Sequence, residues 1–180
     1  MNKALFLDRD GVVNKEKNYL FKIEDFEFID GVFETCRYFQ DNGYLIIIIT
    51  NQAGIARGKY TEDDFKILTS WMLKKFEEED IKISRVYHCP HHPDFSGECE
   101  CRKPKPKMIL EAQKEFKLDL SQSILVGDKN SDIETGIKVG IKMNYLVETG
   151  HPIEENKFDV KIIHSLKDLL FMEVNSINEL

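Results

Sequence analysis

Hydrophobic residues occur along the chain in short continuous runs, separated by longer stretches in which they recur every three or four positions. The runs Ala4–Asp8 and Leu45–Thr50 stay apolar almost to their last residue, which is typical of strands buried on both faces of a parallel sheet. Shorter runs predict strands at Arg85–Cys89, Ser123–Gly127 and Asn144–Val147, and Ile162–Ile163 belongs to one more.

The stretches between these runs predict helices, because their apolar residues repeat with helical spacing. Thr61 is a good N-cap for one helix, and Gly43 closes an earlier one. The predicted helices are Gly31–Asn42, Thr61 to about Glu79, Pro106–Phe116, Ser131–Val139 and Leu166 to about Asn175.

The alternation of strands and helices predicts an α/β fold with a doubly wound, mostly parallel sheet and right-handed crossovers. A chain of 180 residues is long enough for one domain with a substantial core, so we expect a single domain over residues 1–180. No insertion is large enough for a second domain, and His88–Lys105 is expected to be the longest irregular stretch.

Composition and charge narrow the function. The chain is 42% hydrophobic and 32% charged, with a net charge of −7, which fits a globular protein and argues against non-specific nucleic-acid binding. A small anionic substrate is not excluded. The N-terminus lacks the features of a signal peptide, and the longest apolar run, Tyr44–Ile49, is too short to span a bilayer. We predict a cytoplasmic monomer that binds neither nucleic acid nor membrane.

Acidic residues follow two of the predicted strands. Asp8 and Asp10 are two positions apart on an extended backbone, so their side chains project to the same face at the strand's carboxyl end. Asp128 follows another strand and joins them if the two strands are neighbours. Such acids suit Mg²⁺, and one of the pair can attack phosphorus while the other transfers a proton. Asp132, one helical turn later, either supports this site or caps a helix.

Cationic and hydroxyl groups occur where a phosphate would need them. Thr50 ends the second strand and can donate to a phosphate oxygen, although an isolated Thr-Asn pair more commonly ends a strand and starts a turn. The cluster Arg102–Lys107 is either a solvated loop or the place where a lysine neutralises a phosphoryl group and Arg102 grips the substrate. Lys129 either contacts the phosphate or lies in solvent.

Two pairs of metal-binding residues, Cys89-Pro90-His91 and Cys99-Glu100-Cys101, flank a short loop. Three thiolates and one imidazole form a closed set of the kind that binds structural Zn²⁺, and the alternative is a group of reduced, partly buried cysteines. His92 is the alternative ligand to His91. Of the remaining cysteines and histidines, Cys36 is predicted to be in the core, and the others are predicted to be structural or on the surface, namely His88, His151 and His164.

Taken together, these residues resemble the four motifs of the haloacid dehalogenase superfamily of phosphatases: Asp8-x-Asp10-Gly11, Thr50-Asn51, Lys103 and Gly127-Asp128-x-x-x-Asp132. More narrowly, the chain resembles the superfamily's heptose-bisphosphate phosphatase family over roughly residues 3–165. The longer matching segments are Asp8–Asn14, Thr50–Gly58, Cys101–Pro104 and Gly127–Lys129.

The resemblance implies a Rossmann-like fold without a large cap domain. It also implies that Asp8 forms an aspartyl-phosphate, and that Asp10 protonates the leaving oxygen and later activates water. Mg²⁺ would be held by Asp8, the backbone carbonyl of Asp10 and Asp128, while Thr50 and Lys103 would bind the phosphoryl oxygens. The same likeness favours His91 in the zinc site.

The implied substrate is a small phosphorylated sugar, heptose 1,7-bisphosphate, which would lose its C7 phosphate on the way to the heptose of lipopolysaccharide or related glycans. The residues placed near the sugar or its second phosphate are Tyr19, Asn51, Gln52, Ala53 and Arg102, with Lys129 as a further candidate. Ala53 and Lys107 depart from the family's usual serine and glycine.

Three other functions are weighed against this one. A histidinol-phosphate phosphatase shares the fold and the zinc loop, but the segment Ile55–Gly58 favours the heptose substrate. A polynucleotide end-processing phosphatase would need a basic groove, which the acidic composition opposes. A non-catalytic zinc-binding interaction module would show no measurable change in a phosphatase assay when Asp8 is replaced by asparagine, whereas near-total loss is expected of the phosphatase.

Overall fold

The computed structural model describes residues 1–177, with side chains to residue 172. Within them lies a six-stranded sheet in which every neighbouring pair of strands is parallel. The strands are β1 (Lys3–Leu7), β2 (Tyr44–Asn51), β3 (Ile83–Cys89), β4 (Ile124–Gly127), β5 (Met143–Val147) and β6 (Lys161–Ile163). Their order across the sheet is β3-β2-β1-β4-β5-β6, which confirms the predicted parallel α/β architecture.

The helices are α1 (Val32–Asp41), α2 (Glu62–Glu78), α3 (Pro93–Ser96), α4 (Lys107–Phe116), α5 (Asn130–Lys138) and α6 (Asp168–Ile177). Thr61 caps α2 as predicted, because its hydroxyl accepts from the backbone N–H of Asp64, whose carboxylate accepts in return from the N–H of Thr61. The short helix α3 was not predicted. It begins after His92 and has Pro93 at its first position, a residue pattern that favours a helix start.

Two apolar clusters cover the two faces of the sheet, because alternate residues of a strand point to opposite sides. Leu5 and Leu7 of β1 face one cluster, to which α1 and α2 also contribute. Phe6 of the same strand faces the other cluster, to which α4 and α5 contribute. This division confirms the doubly wound arrangement. Among residues 1–177 no helix is long and apolar enough to cross a membrane.

The longest segment between regular elements is 8–31, so the prediction that His88–Lys105 would be longest is wrong. The segment holds one turn of 3₁₀ helix at Ile23–Asp25. It folds back on itself because Asn14 forms β-bridges to both Asp10 and Phe28. Its residues show neither strand nor helix periodicity, so no pattern in the sequence predicted this return. The fold brings Tyr19 back over the carboxyl end of the sheet.

Candidate active site

A cleft of about 370 Å³ opens at the carboxyl end of β1, in the middle of the sheet. The strand order reverses between β1 and β4, which is where doubly wound sheets bind ligands. The predicted residues that line the cleft are Asp8, Asp10, Tyr19, Asn51, Gln52, Ala53, Arg102, Lys103 and Lys129. Thr50 and Asp128, also predicted, are buried at the ends of their strands.

Lys103 and Asp8 form a buried ion pair at the base of this cleft. Nζ of Lys103 lies 2.9 Å from Oδ1 of Asp8 and 2.7 Å from Oδ1 of Asp132, and it donates to the carbonyl oxygen of Ile49. Burial raises the pKa of Asp8 well above its usual range, against the lowering effect of Lys103. Burial alone would lower the pKa of Lys103, but the two carboxylates raise it, so the ammonium stays charged.

The carboxylates of Asp8, Asp128 and Asp132 offer three oxygens within 4.8 Å of one another. Oδ2 of Asp128 accepts hydrogen bonds from the backbone N–H of His151 at 2.8 Å and from its Nδ1 at 2.6 Å. Oδ1 of Asp128 is buried and has no partner among the described residues. An unpaired buried carboxylate oxygen is costly unless a cation meets it. The residues present therefore fit a divalent ion with oxygen ligands.

Asp132 is already engaged in other contacts. Besides the pair with Lys103, its Oδ2 accepts from the backbone N–H of Lys129 at the start of α5. The side chain of Asp132 therefore performs both roles that the sequence left open, because it caps α5 and supports Lys103.

Gly150 packs closely against the carboxylate of Asp128. An added Cβ at position 150 would lie 2.1 Å from Oδ2 of Asp128, so only glycine fits there.

Asp10 lines the same cleft, but its carboxylate is not among the three that cluster. The shared face predicted for Asp8 and Asp10 required an extended strand through both residues, whereas β1 ends at Leu7. Asp10 is instead surrounded by donors. Its Oδ1 accepts from Nη2 of Arg9 at 2.9 Å and from Nδ2 of Asn14 at 3.0 Å, and its Oδ2 accepts from Nε2 of Gln52 at 3.0 Å. Burial opposes ionisation, but the Arg9 guanidinium and these hydrogen bonds outweigh it and hold the pKa of Asp10 below its usual range. The resting side chain is therefore a carboxylate.

The end of β2 connects Asp10 to the basic loop. Nε2 of Gln52 also donates to Oγ1 of Thr50 at 2.8 Å, so the threonine hydroxyl keeps its own proton free to donate. The hydroxyl of Tyr60 donates to Oε1 of Gln52 and fixes the amide's orientation. Asn51 exchanges two hydrogen bonds with the backbone of Lys103, at 3.0 and 3.2 Å. These contacts set the position of Lys103 relative to the strand.

The four predicted zinc ligands meet where β3 ends and in the loop after it, and the three cysteines form no disulfide. Sγ of Cys89 lies 3.6 Å from Sγ of Cys99 and 3.7 Å from Nδ1 of His91, which is 3.3 Å from Sγ of Cys101. Zinc–ligand bonds of about 2.0–2.3 Å give a tetrahedron with edges of about 3.3–3.8 Å. The spacing therefore fits Zn²⁺, and His92 is not part of the cluster.

Four residues that the sequence analysis did not place in the site belong to it. Arg9 and Asn14 hold Asp10, and Tyr60 orients Gln52. His151 holds Asp128, which is the structural one of the two alternatives predicted for it. Arg9 and Asn14 belong to the matching segment Asp8–Asn14, but the sequence predicted no role for either of them. Cys36 is in the core as predicted, and burial raises its pKa to about 12.

Comparisons with known proteins agree with this geometry. The HAD-hydrolase-like family model matches residues 100–169. A D-glycero-α-D-manno-heptose-1,7-bisphosphate 7-phosphatase from Campylobacter jejuni is 57% identical over 145 residues, covering 81% of this chain and 82% of that one. The α-anomer enzyme of Photorhabdus laumondii is 52% identical, covering 85% and 86%. A relative from Haemophilus influenzae, named for the β-anomer, is 49% identical, covering 85% of each chain.

One solved structure matches almost the whole fold. It is a D,D-heptose 1,7-bisphosphate phosphatase from B. bronchiseptica, complexed with magnesium and phosphate. Its TM-score is 0.86 at 24% identity, and the match covers 97% of this chain and 99% of that one. At this identity the likeness establishes the shared fold.

Proposed function

Because the chain belongs to the D-glycero-D-manno-heptose-1,7-bisphosphate 7-phosphatase family of haloacid dehalogenase-like phosphatases, we propose that it hydrolyses the C7 phosphate ester of heptose 1,7-bisphosphate. The observation that carries the proposal is the buried Asp8–Lys103 pair beside the unpaired oxygen of Asp128. It sets a nucleophile and a fixed cation beside a buried oxygen that lacks a partner. Phosphoryl transfer depends on such positioning and charge neutralisation.

Asp8 is the proposed nucleophile. Its Oδ1 accepts from Lys103 and from the backbone N–H of Arg9, so Oδ2 is the oxygen that attacks. A bond forms from Oδ2 to phosphorus while the bond from phosphorus to the C7 oxygen breaks. The positive charge of Lys103 and the hydroxyl of Thr50 stabilise the charge that builds on the phosphoryl oxygens.

Asp10 is the proposed proton-transfer group. The departing C7 oxygen takes a proton from Asp10 in the first step. In the second step a water attacks the phosphorus of the aspartyl-phosphate and Asp10 accepts the water's proton. The bond from phosphorus to Oδ2 of Asp8 breaks, which restores the carboxylate and releases inorganic phosphate. The donors around Asp10 favour its ionised form, which suits the second step. The proton for the first step can enter with a phosphate monoanion, since phosphate esters have a second pKa of about 6.

Mg²⁺ is the proposed cofactor, held by Asp8, the backbone carbonyl of Asp10 and Asp128. When bound, it supplies charge neutralisation to the transferring phosphoryl group. Asp128 would present its unpaired Oδ1, because His151 occupies Oδ2. The substrate contacts are proposed to come from the lining residues Tyr19, Asn51, Gln52, Ala53, Arg102 and Lys129. Among them, the side-chain amide of Gln52 is already engaged by Asp10, Thr50 and Tyr60.

The proposal is tested by phosphate release from both anomers of heptose 1,7-bisphosphate, histidinol phosphate and an aryl phosphate. Protein dialysed free of Mg²⁺ is measured before and after Mg²⁺ is added back, which leaves a tightly held zinc in place. We expect kcat/KM for a heptose bisphosphate to exceed that for the other two by at least about 10²-fold, because only it offers a second anion to the cleft's cations. A preference for histidinol phosphate would overturn the proposed substrate.

We propose a structural Zn²⁺ bound by Cys89, His91, Cys99 and Cys101. A Cys₃His shell has no open position for a substrate, so the metal's role is to shape the loop. Arg102 and Lys103 follow Cys101 directly in the chain. Fixing the fourth ligand therefore fixes the start of the basic segment that reaches Asp8.

Replacing Cys101 by serine is expected to lower the zinc content from one ion per chain to near zero. We expect kcat/KM to fall by about 10- to 100-fold, because Lys103 loses its fixed position, and the melting temperature to drop. The control is Cys36→Ala, which alters a core cysteine outside the cluster. It should lower the melting temperature without loss of zinc. Full zinc content in the Cys101 variant would contradict the assigned ligand set.

The remaining sequence-based predictions are a cytoplasmic monomer that binds neither nucleic acid nor membrane, built as a single domain. No contact among the described residues bears on them, and they stay predictions.

A further inference from the structure

Arg57 lies at the mouth of the cleft, in the loop that joins β2 to α2. Its guanidinium forms no ion pair with any described carboxylate, although the chain has 32 acidic residues and a net charge of −7. Arg57 therefore faces the cleft without a counter-ion, although the protein is acidic overall. A guanidinium in this position is available to bind an anionic ligand. The mechanism proposed above gives it no role.

Two side chains of the zinc loop hold this guanidinium in place. Nη2 of Arg57 lies 3.1 Å from Nε2 of His92, and the guanidinium carbon lies 4.7 Å from the ring centroid of Phe95. No other side-chain hydrogen bond of Arg57 is present among the described residues, so at least four of its five N–H donors have no protein partner there. The remaining donors keep the planar geometry that suits a phosphate.

Backbone hydrogen bonds fix the loop as well. The N–H of Arg57 donates to the carbonyl of Ala53 at 3.0 Å, and the N–H of Ala56 donates to the carbonyl of Pro90 at 3.2 Å. Arg57 is thus held between the loop that carries Gln52 and the loop that carries the zinc ligands. A guanidinium that is already ordered loses little side-chain entropy when it binds an anion.

Charged side chains of both signs line the cleft. Its base holds the acids Asp8, Asp10 and Asp132 with Lys103, and the other lining residues with a full charge include Arg57, Arg102, Lys129 and Glu16, so cations outnumber acids among these four. Under the proposed function, on which this inference rests, the transferred phosphate binds at the base of the cleft. We infer that Arg57 binds the phosphate that is not transferred, and that it thereby determines the selectivity for a sugar bisphosphate over a monophosphate.

The test compares kcat/KM for heptose 1,7-bisphosphate and heptose 7-phosphate in the wild type and in Arg57→Gln. We expect the variant to lose about 10- to 100-fold on the bisphosphate, mainly through KM, which is the range for a charge-assisted hydrogen bond. The monophosphate should change by less than about threefold, because it offers no second anion to Arg57. Arg57→Lys should recover part of the loss through its charge.

Two further measurements keep the outcome clear. Arg85→Gln is the matched control, since Arg85 is exposed, pairs with Glu115 and does not line the cleft. It should leave both substrates unchanged. Inhibition by heptose 1-phosphate needs no turnover, and its Ki should rise about 10-fold or more in Arg57→Gln.

Equal losses on both substrates, or an unchanged Ki, would overturn the role of Arg57 and leave the proposed function standing. A wild type that does not hydrolyse the bisphosphate would instead overturn the proposed function.

Discussion

Asp8→Asn is expected to lower kcat by a factor of about 10⁴ or more, because an amide cannot accept the phosphoryl group. The fold should survive the change. Asp8 is crowded by the carboxylates of Asp128 and Asp132, and burial already raises its pKa. Removing its charge relieves that repulsion and the cost of burial, and Lys103 keeps its ion pair with Asp132. The melting temperature without Mg²⁺ should therefore stay the same or rise.

The measurement is single-turnover phosphate release together with a thermal melt of the same sample. Asp63→Asn on the exposed side of α2 makes the same chemical change away from the cleft and should keep full activity. An Asp8→Asn protein that melts normally yet keeps more than about a hundredth of the wild-type rate would show that another group attacks phosphorus.

The acids that converge on the cleft were predictable because their strands are. Asp8 and Asp128 each follow a run of buried apolar residues, and such runs mark central strands of a parallel sheet. Once β1 and β4 are neighbours, both carboxylates lie at the same edge. Local sequence therefore determines which residues lie at the end of a strand. The order of the strands then brings those residues together.

The hydrogen-bond partners of those acids were not predictable in the same way. His151 reaches Asp128 from 23 positions away, out of a loop that has no periodicity to place it. Arg9 lies between two acids in the sequence and would project to the opposite face of a strand. The chain leaves the sheet after Leu7, however, and the guanidinium turns back to Asp10 and to the carbonyl of Leu20. Contacts made by irregular backbone depend on the tertiary fold.

The same distinction applies to the basic segment. The sequence identified Arg102 and Lys103 as a cationic cluster with an open choice between solvent and substrate. Two hydrogen bonds to Asn51 and a buried ammonium resolve that choice for Lys103. The Cys₃His cluster before it and the asparagine of β2 bring one lysine inward, while Lys105 stays nearer the surface and pairs with Glu98 and Glu100.

Lys103→Met should therefore damage both activity and stability. The change keeps most of the buried volume but removes the ammonium that pairs with Asp8 and Asp132. Breaking a buried ion pair by removing one partner costs about 3–5 kcal/mol. We expect the free energy of unfolding without Mg²⁺ to fall by an amount in that range. We also expect kcat/KM with Mg²⁺ to fall by about 10³-fold, because the phosphoryl oxygens lose a fixed charge.

The pH dependence of Lys103→Met separates this explanation from a simple packing defect. Lys103 is what lowers the pKa of Asp8 against burial, so without it the folded-state pKa rises further above the unfolded value. The folded variant then binds more protons than the unfolded chain, and its stability falls as pH rises through that pKa. Melting temperatures measured between pH 5 and pH 8 without Mg²⁺ should drop more steeply with pH than those of the wild type. The control is Lys107→Met, which removes an exposed lysine near Glu111 and should follow the wild-type curve.

A second substitution tests the same explanation. Adding Asp132→Asn to Lys103→Met should restore part of the stability and none of the activity, because it removes an unpaired carboxylate without replacing the cation. A loss of stability in Lys103→Met that is the same at every pH would mean that packing, rather than the unpaired carboxylates, is what the lysine contributes.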